Sequence, residues 1–302
     1  MKTTFQLEDV YTYRWLTDEM PIKGIILISH GMVETAERYE GLAEVLNQKG
    51  YHVYAHDHYG HGRTAARMDD IGVLEKQDFE KMVDFLQKMV SYLRSEHENT
   101  KVFILGHSMG SFVLQRYIEK YSKEDDIDGV ILSGTAGKMT MLKLNQWIVH
   151  SLVLLFGSKK RAPFLDRMNF GSYNKGFQPN RTKFDWLSRD TREVDRYIQN
   201  PYCGQVVSYG FFECLLDGMG KIHQHSELIK IKKDLPIYLF SGKLDPVGMQ
   251  GKSVRWLVQT YKSLGIEDVT LKLYEGGRHE MLNEINREEV IRDIVSWLIK
   301  KS

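Results

Sequence analysis

The chain has 302 residues, 42 % of them hydrophobic, and 41 Lys and Arg stand against 40 Asp and Glu for a formal net charge of +1. That length allows one large α/β domain or a core domain carrying an insertion, and the apolar fraction is ordinary for a folded core. Balanced charge excludes both the basic field of a nucleic-acid binder and the acidic excess of a disordered tail.

The first stretch, MKTTFQLEDVYTYRW, has no apolar signal core and no cleavage-type motif. No run reaches the roughly 18 apolar residues of a spanning helix. A cytoplasmic protein is expected. Residues 24–29 (GIILIS) are short and β-branched and read as a buried strand. Residues 34–49 set Leu42, Ala43, Val45 and Leu46 among charges, a helix pattern that Gly50 ends. Residues 52–55 read as a second strand. In residues 78–95, Phe79, Met82, Val83, Phe85, Leu86, Met89, Val90 and Leu93 recur at helical spacing. A third strand follows at 102–105, a helix at 108–121 and a fourth strand at 130–132. Strands and helices alternating through short connections predict a parallel sheet with helices on both faces.

The rhythm breaks over residues 138–222, where Gly157, Pro163, Gly171, Gly176, Pro179 and Pro201 interrupt helical or irregular patterns. It resumes with a strand at 236–240, a helix at 249–264, a strand at 269–273 and an amphipathic helix at 286–301. The chain therefore reads as one α/β core, residues 1–137 and 223–302, with an insertion at 138–222. The insertion opens KMTMLKLNQWIVHSLVLLFG, in which Met141, Leu144, Trp147, Ile148, Leu152 and Leu155 share a broad stripe. Val149, Val153, Leu154 and Phe156 widen it. Such a stripe packs on a core, or forms an apolar entrance that accepts acyl chains or rests on a membrane surface. The reading pursued is an acyl pocket touched by Trp147, Leu152 and Leu155.

The third strand runs straight into Gly106-His107-Ser108-Met109-Gly110. A serine between two glycines at a strand-to-helix junction is the nucleophile elbow, whose glycines let strand and helix approach around a strained serine. Serine is a weak nucleophile and needs a base, and the base needs a third group to fix its tautomer. In parallel sheets, ligands gather at the carboxyl ends of strands. Asp245, in YLFSGKLDPVG, and His279, in LKLYEGGRHEM, both follow late strands, in the chain order Ser, Asp, His expected for this elbow. An oxyanion hole needs two preorganised N–H donors. The backbone of Met109 supplies one, and that of Met32, in the His30-Gly31 loop after the first buried strand, the other.

With these motifs in view, the His30-Gly31-Met32 loop, AHDHYGHGRT (55–64), GHSMG and the Asp245 and His279 loops resemble the monoacylglycerol lipase-like α/β-hydrolases. Bacterial members are often called lysophospholipases or grouped with the serine aminopeptidase-type hydrolases. The resemblance covers nearly the whole core. FDWLSRD (184–190) and NPYCG (200–204) extend it weakly into the insertion. It implies an α/β-hydrolase fold, with a mostly parallel eight-stranded sheet flanked by helices and a helical cap. It also implies Ser108 as nucleophile, His279 as base, Asp245 as its orienter, and no cofactor. In that family the 55–64 stretch is a structural turn whose Asp57 fixes the loop beneath the site.

Other candidates are set aside. His52, His56, Asp57, His58 and His61 match no trusted zinc spacing, so no metal is expected. His223 and His225 precede the final core strands and so sit wrongly in the topology to serve as base, and Asp217 lies near the insertion's end rather than after a strand. Cys203 and Cys214 read as reduced packing residues. The expected substrate is a small ester or lipid, with no nucleic acid, a transient membrane contact through the cap, and an oligomeric state left open. Small-ester cleavage, peptidase or acyltransferase action, and ligand binding without catalysis on the same fold are the rival readings.

Overall fold

The computed structural model describes residues 2–124 and 127–302. Short β-branched and aromatic runs form eight strands: β1 (Lys2–Leu7), β2 (Val10–Trp15), β3 (Gly24–Ser29), β4 (Tyr51–His56), β5 (Val102–His107), β6 (Gly129–Ser133), β7 (Ile237–Gly242) and β8 (Val269–Tyr274). They make one sheet in the order β1-β2-β4-β3-β5-β6-β7-β8. From β4 to β8 every pairing is parallel, while β1 and β2 pair antiparallel with each other and β2 antiparallel with β4. The eight-stranded, mostly parallel sheet is the architecture that the resemblance implied.

Every residue of β3, β4, β5, β6 and β7 is buried, as a sheet covered on both faces requires. On one face α2 (Asp78–Glu96) and α3 (Met109–Tyr121), after α1 (Glu40–Asn47) in the chain, bring Phe79, Met82 and Val113 against Ile25, Leu27 and Ile104. On the other face α1 contributes Leu42 and Leu46 against Ile26, Ile28 and Leu105. Each such side chain contributes about 1.5–3 kcal/mol when fully buried.

Reading the residues alone placed no strand before residue 24, and the chain forms two there. β1 is only half-buried and polar, and its turn at Glu8 has φ +54°. An antiparallel edge hairpin carries no long apolar run, so its alternation is a weak signal.

Between β6 and β7 the described residues form no strand. They form α4 (Leu142–Phe156), α5 (Pro163–Phe170), α6 (Thr191–Gln199), α7 (Tyr209–Lys221) and the single turn α8 (His225–Leu228), with an isolated β-bridge between Arg161 and Ser208. α7 lays Phe211, Phe212 and Cys214 on the core, and α4 packs along α7, where the Gln146 amide donates to the Leu216 carbonyl at 2.9 Å. Arg161 ties the insertion down by donating to the carbonyls of Ile71 and Val206 at 2.5 and 3.0 Å. The core then closes with α9 (Lys252–Ser263) and α10 (Arg287–Lys301). No helix among the described residues is long and apolar enough to cross a membrane.

Candidate active site

β5 ends at His107 and α3 begins at Met109, so Ser108 alone makes the corner, at φ +49° and ψ −118°. That left-handed conformation is strained for a residue with a Cβ, and a strained serine between a strand and a helix presents its hydroxyl outward. Both flanking glycines are required sterically. A Cβ on Gly106 would lie 2.6 Å from the Gly110 carbonyl oxygen, and one on Gly110 would run into the Ser29 carbonyl.

The loops after β7 and β8 bring their polar residues to this corner. The His279 Nε2 lies 2.9 Å from Ser108 Oγ, and its Nδ1 lies 3.0 Å from Asp245 Oδ1. A carboxylate only accepts, so Nδ1 carries the hydrogen and Nε2 is left to accept from the Ser108 hydroxyl. Asp245 is fully buried and is itself held, Oδ1 accepting from the Val247 N–H at 2.9 Å and Oδ2 from the Ser241 hydroxyl at 3.0 Å. Burial works against the Asp245 charge, but His279 and these donors outweigh it and hold its pKa below the ordinary value. Burial likewise works against an imidazolium at His279. The Asp245 carboxylate and its hydrogen bond, with Glu280 and Glu34 behind them, prevail and hold His279 above its ordinary 6.5. His107, whose ring lies 4.9 Å from that of His279, is pushed down to about 4 by burial and by the neighbouring imidazole, so it stays neutral.

The loop after β3 meets the same corner. A Cβ on Gly31 would stand 3.3 Å from Ser108 Cβ. Met32 and Met109 both border the cavity that opens over Ser108 and His279. Asp57 braces this loop from below: Oδ1 accepts from the Thr35 hydroxyl and the Ala36 N–H, both at 2.8 Å, and Oδ2 from the Arg63 N–H at 2.8 Å. The cavity encloses about 510 Å³ between the core and the insertion, with Phe112, Ile148, Val149, Phe212, Leu215 and Met219 among its apolar walls.

The cap residues predicted to line this cavity do not reach it. α4 turns Asn145, Ile148 and Val149 inward, while Trp147 and Leu155 are 68 % and 72 % exposed and Leu152 packs against the core. The helix is apolar around nearly its whole circumference, so spacing could not select the inward face. Reading the residues also missed Ser241, Glu34, Arg38 and Glu280. Glu34 and Arg38 lie four residues apart, but Glu280 joins them only through the fold.

The candidates set aside lie apart from this constellation. His223 Nε2 bonds Gln115 Oε1 at 2.6 Å, Asp217 pairs with Lys221 at 3.1 Å, and Cys203 and Cys214 are buried and unbridged. The rings of His30, His56, His58 and His61 cluster beneath the site, but no group of three candidate ligands among the described residues could hold a metal.

Comparison with known proteins bears on the family and the fold. The family described as serine aminopeptidase, S33 matches residues 20–286. A monoacylglycerol lipase of Mycolicibacterium smegmatis is 28 % identical over 290 residues, covering 94 % of this chain and 91 % of that protein. A monoglyceride lipase of Rattus norvegicus is 27 % identical, covering 91 % and 82 %. A thermostable carboxyl esterase of Bacillus coagulans, solved in complex with glycerol, superposes with a TM-score of 0.89 at 24 % identity over 99 % of this chain and 98 % of that one. At that identity the likeness is one of fold.

Proposed function

We propose that this chain, which belongs to the serine aminopeptidase S33 family, is a serine hydrolase that cleaves carboxylic esters of lipid type, such as monoacylglycerols or lysophospholipids. The observation that carries the reading is the line Ser108–His279–Asp245, at 2.9 and 3.0 Å, whose Ser108 and His279 border a largely apolar cavity of about 510 Å³. The lipase names of the similar proteins support the substrate class.

In this reading His279 Nε2 takes the Ser108 proton as Oγ attacks the ester carbonyl, and Asp245 stabilises the imidazolium that forms. The carbonyl oxygen becomes an oxyanion held by the N–H groups of Met32 and Met109. Collapse breaks the ester C–O bond, and the imidazolium gives its proton to the leaving alcohol. A water, deprotonated by His279, attacks the acyl-Ser108 carbonyl, and the second collapse releases the fatty acid and returns the proton to Ser108.

Because the base must be neutral to accept the Ser108 proton, a His279 pKa above 6.5 moves the acid limb upward. The expected kcat/KM on a soluble ester rises with pH through a midpoint above 6.5 and falls on acidification. A profile measured from about pH 5 to 9 checks this, and a midpoint below the ordinary histidine value contradicts it.

The outward face of α4 and α5, with Trp147, Leu154, Leu155, Phe164 and Met168 exposed, supports contact with a lipid surface beside the cavity. Replacing Trp147 and Leu155 together with Ser is expected to weaken partition onto phosphatidylcholine vesicles by about tenfold or more. Turnover of soluble butyrate esters should stay within about twofold, since neither side chain lines the cavity. Unchanged vesicle partition contradicts the membrane contact.

The substrate class is tested by hydrolysis of p-nitrophenyl esters of two to sixteen carbons, a monoacylglycerol and lysophosphatidylcholine, with Ser108→Ala as control. Ser108-dependent turnover favouring medium and long chains is the expected result. Turnover confined to acetate and butyrate makes the protein a small-ester carboxylesterase, and turnover of peptides or transfer to another acceptor in place of esters overturns the reading.

A further inference from the structure

Beside His279 lies a buried ionic cluster that the reaction steps do not use. Arg38 donates through both guanidinium arms to Glu280, Nη1 to Oε1 at 2.9 Å and Nη2 to Oε2 at 2.6 Å, and Nη1 also bonds Glu34 Oε2. The three side chains are 11 %, 7 % and 3 % exposed. The other oxygen of Glu34 accepts from the Gly31 N–H at 2.6 Å and from the Tyr39 hydroxyl at 2.9 Å. Arg38 stacks over the Tyr197 ring of α6 at 4.8 Å, and the Tyr197 hydroxyl donates to the Val33 carbonyl at 3.1 Å.

A buried ion triad is a poor device for stability, because desolvation offsets most of the attraction and apolar side chains of the same volume would stabilise as well. Its geometry is specific, however. One end of the cluster is the peptide N–H immediately before Met32, and the other is the residue immediately after His279. Those loops follow β3, which adjoins β5, and β8, the edge strand four positions away in the sheet. A bidentate guanidinium between two carboxylates fixes distance and angle together, as a lysine could not.

We propose that Arg38 is a positioning residue for catalysis: through Glu34 and Glu280 it sets the oxyanion-side loop and the base-side loop at one separation around Ser108. The inference rests on the ester-hydrolase reading and goes beyond it by naming what holds the two halves of the site in register. A shared brace of this kind acts on the transition state, where base and oxyanion donors must be placed at once, and leaves ground-state binding in the cavity largely untouched.

The test is kcat and KM of Arg38→Met, Arg38→Lys and Glu280→Gln on p-nitrophenyl butyrate, per site titrated with a fluorophosphonate, alongside the thermal midpoint of each variant. Arg38→Met is expected to lower kcat by about 10- to 100-fold with KM within about twofold. Arg38→Lys, which keeps the charge and loses the fork, should remain about fivefold low or worse. If Arg38→Met does not fold, Glu280→Gln, which keeps the shape and removes the charge, decides the question in the same direction. Per-site kcat within about twofold of the parent, or a loss wholly in KM, overturns the inference whatever happens to the thermal midpoint. Should the parent protein neither label nor turn over the ester, the ester-hydrolase reading fails and takes this inference with it. A labelled, active parent with unaffected variants overturns the positioning role alone.

Discussion

Ser108→Ala is expected to lower ester turnover by about 10,000-fold or more while the fold stays intact. The size follows from the role. In the proposed mechanism, loss of Oγ removes the acyl-enzyme and leaves His279 to activate water at a position occupied by a serine oxygen 2.9 Å from Nε2. The loss corresponds to about 5.5 kcal/mol of transition-state stabilisation. Folding should be spared because among the described residues the Ser108 side chain bonds His279 alone, and its backbone N–H, 2.9 Å from the Ser133 carbonyl, is retained. kcat on p-nitrophenyl butyrate with matched thermal midpoints checks it, and a variant that keeps a tenth of the parent's turnover contradicts the nucleophile assignment.

Asp245→Asn is expected to cost kcat about as much, also near 10,000-fold, with almost no change of shape. The carboxylate accepts from Nδ1–H at 3.0 Å and so leaves Nε2 bare to receive the Ser108 proton. Oδ2 is occupied by the Ser241 hydroxyl and Oδ1 also by the Val247 N–H. A carboxamide fails in either orientation: NH2 toward Nδ1 faces the Val247 N–H and forces the hydrogen onto Nε2, where it blocks proton transfer from Ser108, and oxygen toward Nδ1 keeps the tautomer but no longer supplies the charge that stabilises the imidazolium. It also removes the charge that offsets burial and holds His279 above 6.5, so the residual activity should have its acid limb at lower pH than the parent. Residual activity within about tenfold of the parent, or an acid limb that moves upward, contradicts the orienting role.

Much of the site was legible because its signals are local. GHSMG at the end of an apolar run names both the corner and the helix that follows, and the glycines prove to be steric requirements. Asp245 and His279 could be chosen from their rivals because parallel strands deliver their C-terminal loops to one edge, which chain order alone reveals. The parallel strands β3, β5, β6 and β7 were equally plain, being short runs dominated by apolar residues. What stayed hidden was relational. Arg38 and Glu280 lie 242 residues apart, and no spacing rule links them. The inward face of α4 was hidden for a different reason. Val149 is buried while Trp147 and Leu155 face outward, yet all three are apolar and periodicity ranks them alike. β1 was missed because half-buried alternation among Lys, Thr and Gln carries little apolar contrast, whereas β2, with Val10, Tyr11, Tyr13 and Trp15, has the composition of a strand and was passed over.

The most direct test of the central claim is the mass of the intact protein after reaction with a fluorophosphonate, followed by peptide mapping. The account predicts one adduct per chain, on the peptide carrying Ser108, with esterase activity lost in proportion to labelling and no adduct on Ser108→Ala. An adduct on another residue, or full labelling that leaves esterase activity in place, would contradict it.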